Sequence, residues 1–73
     1  MTTKLTENQK KVLELVGQGA SISEVAEELF LSISSAKRHI GALFEKTGAR
    51  DRVQLVLVAH NLPILFPKEK KEN

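Results

Sequence analysis

The 73-residue chain contains no cysteine, which excludes a disulfide framework and a thiolate metal site and suits a reducing compartment. At this length, near the lower limit for a single hydrophobic core, stability has to come from packing or from a partner. The two histidines, His39 and His60, fall on different predicted helices, so they make no ligand set and no metal is expected. No apolar run approaches the roughly 18 residues of a membrane helix. The polar N-terminus also lacks the charged-then-apolar layout of a signal peptide. These absences predict a cytoplasmic protein without a membrane partner. Glycine is too sparse for a phosphate-binding loop, since Gly17 and Gly19 are too few and wrongly spaced. Ser32, Ser34 and Ser35 have no base and acid arranged beside them, as a nucleophile requires. No catalytic residue, cofactor or small-molecule substrate is expected, and the chain reads as a non-enzyme.

What is present is an uneven charge distribution. The formal net charge of +2 is too small to identify a nucleic-acid binder. Up to Leu31, however, Lys4, Lys10 and Lys11 stand against Glu7, Glu14, Glu24, Glu27 and Glu28. From Ser32 to Leu62, Lys37, Arg38, Lys46, Arg50 and Arg52 face only Glu45 and Asp51. The second half is the basic half.

Hydrophobic periodicity and capping signals predict an all-α domain of four helices. Thr6 with Gln9 has the form of a capping box, followed by the stripe Val12, Leu15 and Val16, with Gly17 and Gly19 marking the stop. Ser21 with Glu24 opens a short helix from Ile22 to about Leu29, apolar at Ile22, Val25, Ala26 and Leu29. Its outward Glu24, Glu27 and Glu28 would repel a phosphate backbone, so it is expected to support rather than read. Ser32 caps a longer helix running from Ile33 to about Thr47, which Gly48 ends. Its buried stripe is Ala36, Ile40, Leu43 and Phe44.

Only Phe30 and Leu31 join the short helix to the long one, and Ala26 permits a close crossing, which is the sequence form of a helix-turn-helix. The outward face of the long helix offers Lys37 and Arg38 to guanine edges or phosphates. Ser34 and Ser35 lie near its N-terminus, where free N–H groups and the helix dipole favour a phosphate. His39 is read as a phosphate or helix contact, and Lys46 and Arg50 are grouped with the DNA-facing residues. Gly41 lies on the same face and lowers helix propensity, a cost that close approach to the DNA or simple tolerance explains equally well.

The last helix is predicted from Arg52 to about Asn61, with Pro63 preventing its continuation. Leu55, Val56, Ala59 and Leu62 make one stripe. Leu57 and Val58, flanked by Gln54 and Asn61, make a second apolar face that implies a further buried surface. The domain is drawn as residues 1–62, with 63–73 as a tail, flexible toward its charged end.

These stretches together resemble the LuxR/GerE family of bacterial helix-turn-helix transcription regulators. The resemblance runs through Leu5-Thr6 with Val12-Leu13, Glu24-Val25-Ala26 with Leu29-Phe30-Leu31-Ser32, Lys37 with His39-Ile40, and Gly48 with Arg50-Asp51-Arg52 and Gln54. It implies a four-helix domain with the third helix in the major groove of double-stranded DNA and the fourth often forming a homodimer interface. It further implies a DNA-contacting role for Lys37, base reading for Arg38 and a backbone approach for His39, with Ser35 replacing a usual threonine. The chain departs from the family pattern at Ala36, Gly41, Thr47 and Val53. Many family members also carry a receiver or ligand-binding domain, so the chain is read either as an excised output domain or as an autonomous regulator. The competing reading is a protein-interaction module that keeps the fold but holds a regulator or RNA polymerase instead of DNA.

Overall fold

The computed structural model describes residues 5–67, and the charged end of the tail, from Lys68 on, lies outside them. Four helices follow in order: α1 (Glu7–Gly17), α2 (Ile22–Leu29), α3 (Ile33–Thr47) and α4 (Arg52–Ala59). No strand occurs among the described residues. Each helix starts at a side chain that accepts a backbone N–H three residues on. The pairs are Thr6 with Gln9, Ser21 with Glu24, Ser32 with Ser35 and Asp51 with Gln54, at 3.0–3.1 Å. In the first two the bond is reciprocated, Gln9 and Glu24 accepting from the cap's own N–H.

The helix ends are equally local. Gly19, Phe30, Gly48 and Asn61 all have positive φ. At Gly19, Phe30 and Asn61 the following N–H bonds five residues back, Ala20 to Leu15, Leu31 to Ala26 and Leu62 to Leu57, giving Schellman ends. Gly48 closes α3 with a single bond to the Phe44 carbonyl. Glycine adopts this backbone freely, but Phe30 at φ 57° carries a Cβ penalty.

The core is a small cluster: Val12 and Val16 from α1, Val25 and Ala26 from α2, Ala36, Ile40 and Leu43 from α3, and Ala49 and Leu55 at the last connection and α4. α1 lies against both α3 and α4, while α2 packs mainly on α3. The Cα radius of gyration is 12.1 Å.

Two sequence expectations change. α4 ends at Ala59, two residues early, because Asn61 turns left-handed before Pro63 is reached. Leu62 consequently leaves the inner stripe and is half-exposed. Gly17 is the last residue of α1, as expected, and it also has a packing role. A Cβ there would lie 2.5 Å from Cβ of Ala59, so the absence of a side chain sets how closely α1 and α4 cross. His60 Nε2 donates to the Gly17 carbonyl at 2.9 Å and ties the same crossing.

Candidate nucleic-acid interface

α3 is the longest helix, about 22 Å at 1.5 Å per residue, and its inner stripe of Ala36, Ile40 and Leu43 fixes which face looks outward. Ser34, Lys37, Arg38, Gly41 and Glu45 are exposed, while Ser35, His39 and Ala42 are half-buried along the edges. Among the described residues the ion pair found is Arg50 with its neighbour Asp51, at 3.6 Å between two half-exposed side chains. Neither Lys37 nor Arg38 is paired with a described carboxylate. Two adjacent cations thus stand on one helix face without a neutralising partner among the described residues.

The N-terminus of α3 reinforces that field. α1 and α2 each carry a carboxylate in the first turn, Glu7 and Glu24, but α3 carries none. The positive end of its dipole beside Ser34 is uncompensated by acidic residues of its own first turn. Ser32 uses its hydroxyl on the Ser35 N–H, so Ser32 is structural.

Acidic residues gather elsewhere. Glu24, Glu27 and Glu28 of α2, with Leu15, Gln18, Gly19 and Ala20, line an open depression of about 430 Å³. No group of three or more metal-ligating side chains occurs among the described residues.

The remaining sequence-predicted residues are only partly brought together. Lys46 lies nine residues beyond Lys37, about 14 Å along the helix axis. It is half-buried and donates from Nζ to Oε1 of Gln9 at 2.9 Å. Its ammonium ties the end of α3 to the start of α1. Arg50 is exposed beyond that end, in the connection to α4.

In α4, Leu57 and Val58 are half-exposed and Asn61 exposed, but Gln54 is buried. Its Oε1 accepts from the Arg50 N–H at 2.9 Å, and its Nε2 donates to the Phe66 carbonyl at 2.7 Å. The expectation of Gln54 as a surface side chain flanking Leu57 and Val58 is therefore corrected: its amide is committed within the chain. Phe30, in sequence only a joint residue between α2 and α3, is 95% exposed. Thr47, which departs from the family pattern, donates to the Leu43 carbonyl and accepts from the Ala49 N–H, bridging the end of α3 with hydrogen bonds.

A short supporting helix, a left-handed joint and a longer helix with a cationic outer face define a helix-turn-helix domain of the kind found in transcription regulators. The family model described as bacterial regulatory proteins, luxR family, matches residues 3–59. Similar proteins include the transcriptional regulatory protein LiaR of Bacillus subtilis, 36% identical over 56 residues, 77% of this chain and 26% of that protein. The spore germination protein GerE of Bacillus subtilis is 36% identical over 53 residues, 73% of this chain and 72% of that protein. The CsgBAC operon transcriptional regulatory protein of Escherichia coli is 37% identical over 57 residues, 78% of this chain and 26% of that protein. This chain belongs to the LuxR family of bacterial regulatory proteins. It spans about a quarter of the length of LiaR and of the CsgBAC regulator.

Proposed function

We propose that the chain binds double-stranded DNA in the bacterial cytoplasm as a homodimeric transcription regulator, with α3 in the major groove and α4 pairing the two copies. The observation that carries this reading is the Lys37–Arg38 couple on the outer face of α3, paired with no carboxylate among the described residues, next to a helix whose own first turn has no acidic residue. Lys37 and Arg38 contact base edges or phosphates, while Ser34, Ser35 and the α3 N-terminus seat a phosphate, with His39 at the edge. Arg50 adds a flanking phosphate contact. Lys46 contributes indirectly, by holding α3 against α1. Leu57, Val58 and Asn61 form the pairing face, and Gln54 supports it from within.

The test is a gel-shift titration against duplexes selected from a random pool. Lys37→Ala and Arg38→Ala are each expected to weaken binding by about 1–3 kcal/mol with unchanged thermal unfolding; unaltered binding refutes the assignment.

A second reading, a module that holds a protein such as RNA polymerase or an anti-regulator, draws support from Phe30, fully exposed beside the acidic face of α2. Salt separates the two. DNA affinity falls by roughly 0.9 log units per log unit of salt for each phosphate neutralised. A retained protein complex with no retarded duplex at low salt favours the second reading.

A further inference from the structure

Beyond Asn61 the chain turns back along α4. The Leu62 N–H bonds to the Leu57 carbonyl at 2.8 Å, and the Phe66 carbonyl accepts from buried Gln54 at 2.7 Å. Leu57 and Gln54 are three positions apart on the helix, with Gln54 nearer its start. The segment from 62 to 66 therefore runs antiparallel to α4. The two anchor points are about 4.5 Å apart along the helix axis, and the segment bends at Leu65 and Phe66 to meet the second. Ile64, between the two anchors, packs on the core. The backbone is thus held at both ends and in the middle.

That restraint costs conformational entropy, and covering the core accounts for Ile64 alone. Leu65 is 76% and Phe66 67% exposed, with Leu62 at 51% and Val53, next to Gln54, at 71%. The segment Leu62–Pro67 has no charged residue, and its two prolines have no N–H to leave unpaired on burial. Charge depletion around aromatic and large aliphatic side chains is the composition of an interface centre. At full residue areas of about 150–250 Å², these four side chains expose roughly 500 Å². A stable pair needs about 800 Å² from each partner. Half-exposed Leu57 and Val58 and a polar rim add to the exposed area.

We propose that the folded-back segment Leu62–Pro67 extends the α4 surface into a homodimer interface, Leu65 and Phe66 of each copy packing on the same surface of the other. This rests on the reading of α4 as the pairing helix. A second copy is the fitting occupant because the patch is uncharged and continuous with that face, and a two-fold pair buries the same patch on both sides.

Sedimentation equilibrium on the whole chain tests it with wild type, Leu65→Asp/Phe66→Asp and Leu57→Asp. At concentrations where wild type is monomeric the double variant is expected to melt like wild type, because both side chains face solvent in the single chain, and it is expected to raise the dimer dissociation constant at least about tenfold. Leu65→Ser/Phe66→Ser repeats the measurement if the acidic pair melts differently. A double variant that dimerises like wild type while Leu57→Asp is monomeric overturns the role of the segment and leaves the α4 reading standing. A monomeric double variant with dimeric Leu57→Asp supports the segment and overturns pairing through α4. Wild type that stays monomeric at roughly millimolar concentration overturns both.

Discussion

Replacing Gly17 by alanine adds a single methyl group, and the structure says where it goes. The new Cβ would sit 2.5 Å from Cβ of Ala59, whereas carbon atoms rest at about 3.5–4.0 Å. Both atoms are rooted on helix backbones, so no rotamer change relieves the clash, and α1 and α4 have to part by about 1 Å or more. Overpacking of this kind costs about 1–3 kcal/mol. The same movement stretches the 2.9 Å bond from His60 to the Gly17 carbonyl, a loss of about 0.5–1.5 kcal/mol. Against this stands the helix-propensity gain of alanine over glycine, up to about 1 kcal/mol and less in a last turn. The net expectation is destabilisation by about 2 kcal/mol, or roughly 10 °C in Tm for a domain this small. Gly41→Ala is the opposite case. Gly41 lies inside α3 and is exposed, and a methyl group added there would meet nothing within 4 Å. Stability should therefore rise by about 0.5–1 kcal/mol. Thermal and urea unfolding followed by circular dichroism measures both. The double variant Gly17→Ala/Ala59→Gly should recover part of the loss as a positive coupling. If Gly17→Ala stabilises as Gly41→Ala does, the account of the α1–α4 crossing is wrong.

Other substitutions test the remaining elements. Phe30→Gly relieves a left-handed backbone that costs an L-residue about 1–2 kcal/mol and removes an exposed ring. It should raise Tm in a thermal melt, and a fall would mean the ring stabilises the fold in a way its exposure conceals. Gln54→Ala leaves the Arg50 N–H and Phe66 carbonyl without their side-chain partner, so chemical denaturation should show a loss of about 1–3 kcal/mol. Hydrogen exchange should accelerate in residues 62–66, the segment that Gln54 anchors. Lys46→Ala should lower unfolding stability by more than Lys37→Ala does and weaken DNA binding by less, because its ammonium is bonded to Gln9. The reverse ranking in paired melting and gel-shift measurements would restore Lys46 to the DNA face.

Capping and periodicity made most of the architecture readable before any coordinate. The interactions that start and stop these helices span three to five residues, so Thr6, Ser21, Ser32 and Gly48 carry their meaning in the immediate sequence. The outward face of α3 was legible for the same reason: once Ala36, Ile40 and Leu43 turn inward, helical geometry sends Lys37 and Arg38 out. α4 ends two residues before the predicted boundary because Asn61 turns left-handed ahead of Pro63, and asparagine there carries no sequence signal as strong as a proline.

Long-range packing decided the rest. Gly17 and His60 are separated by 43 positions, Lys46 and Gln9 by 37, and Gln54 and Phe66 by 12. No local pattern distinguishes a glycine that ends a helix from one that admits a neighbouring helix. Nor does it distinguish a glutamine on a dimer face from one clamping a returning segment. Those assignments depend on which surfaces meet when four short helices share one small core. Periodicity sorts side chains into inner and outer faces, but only the packed chain shows which polar groups the interior has already taken.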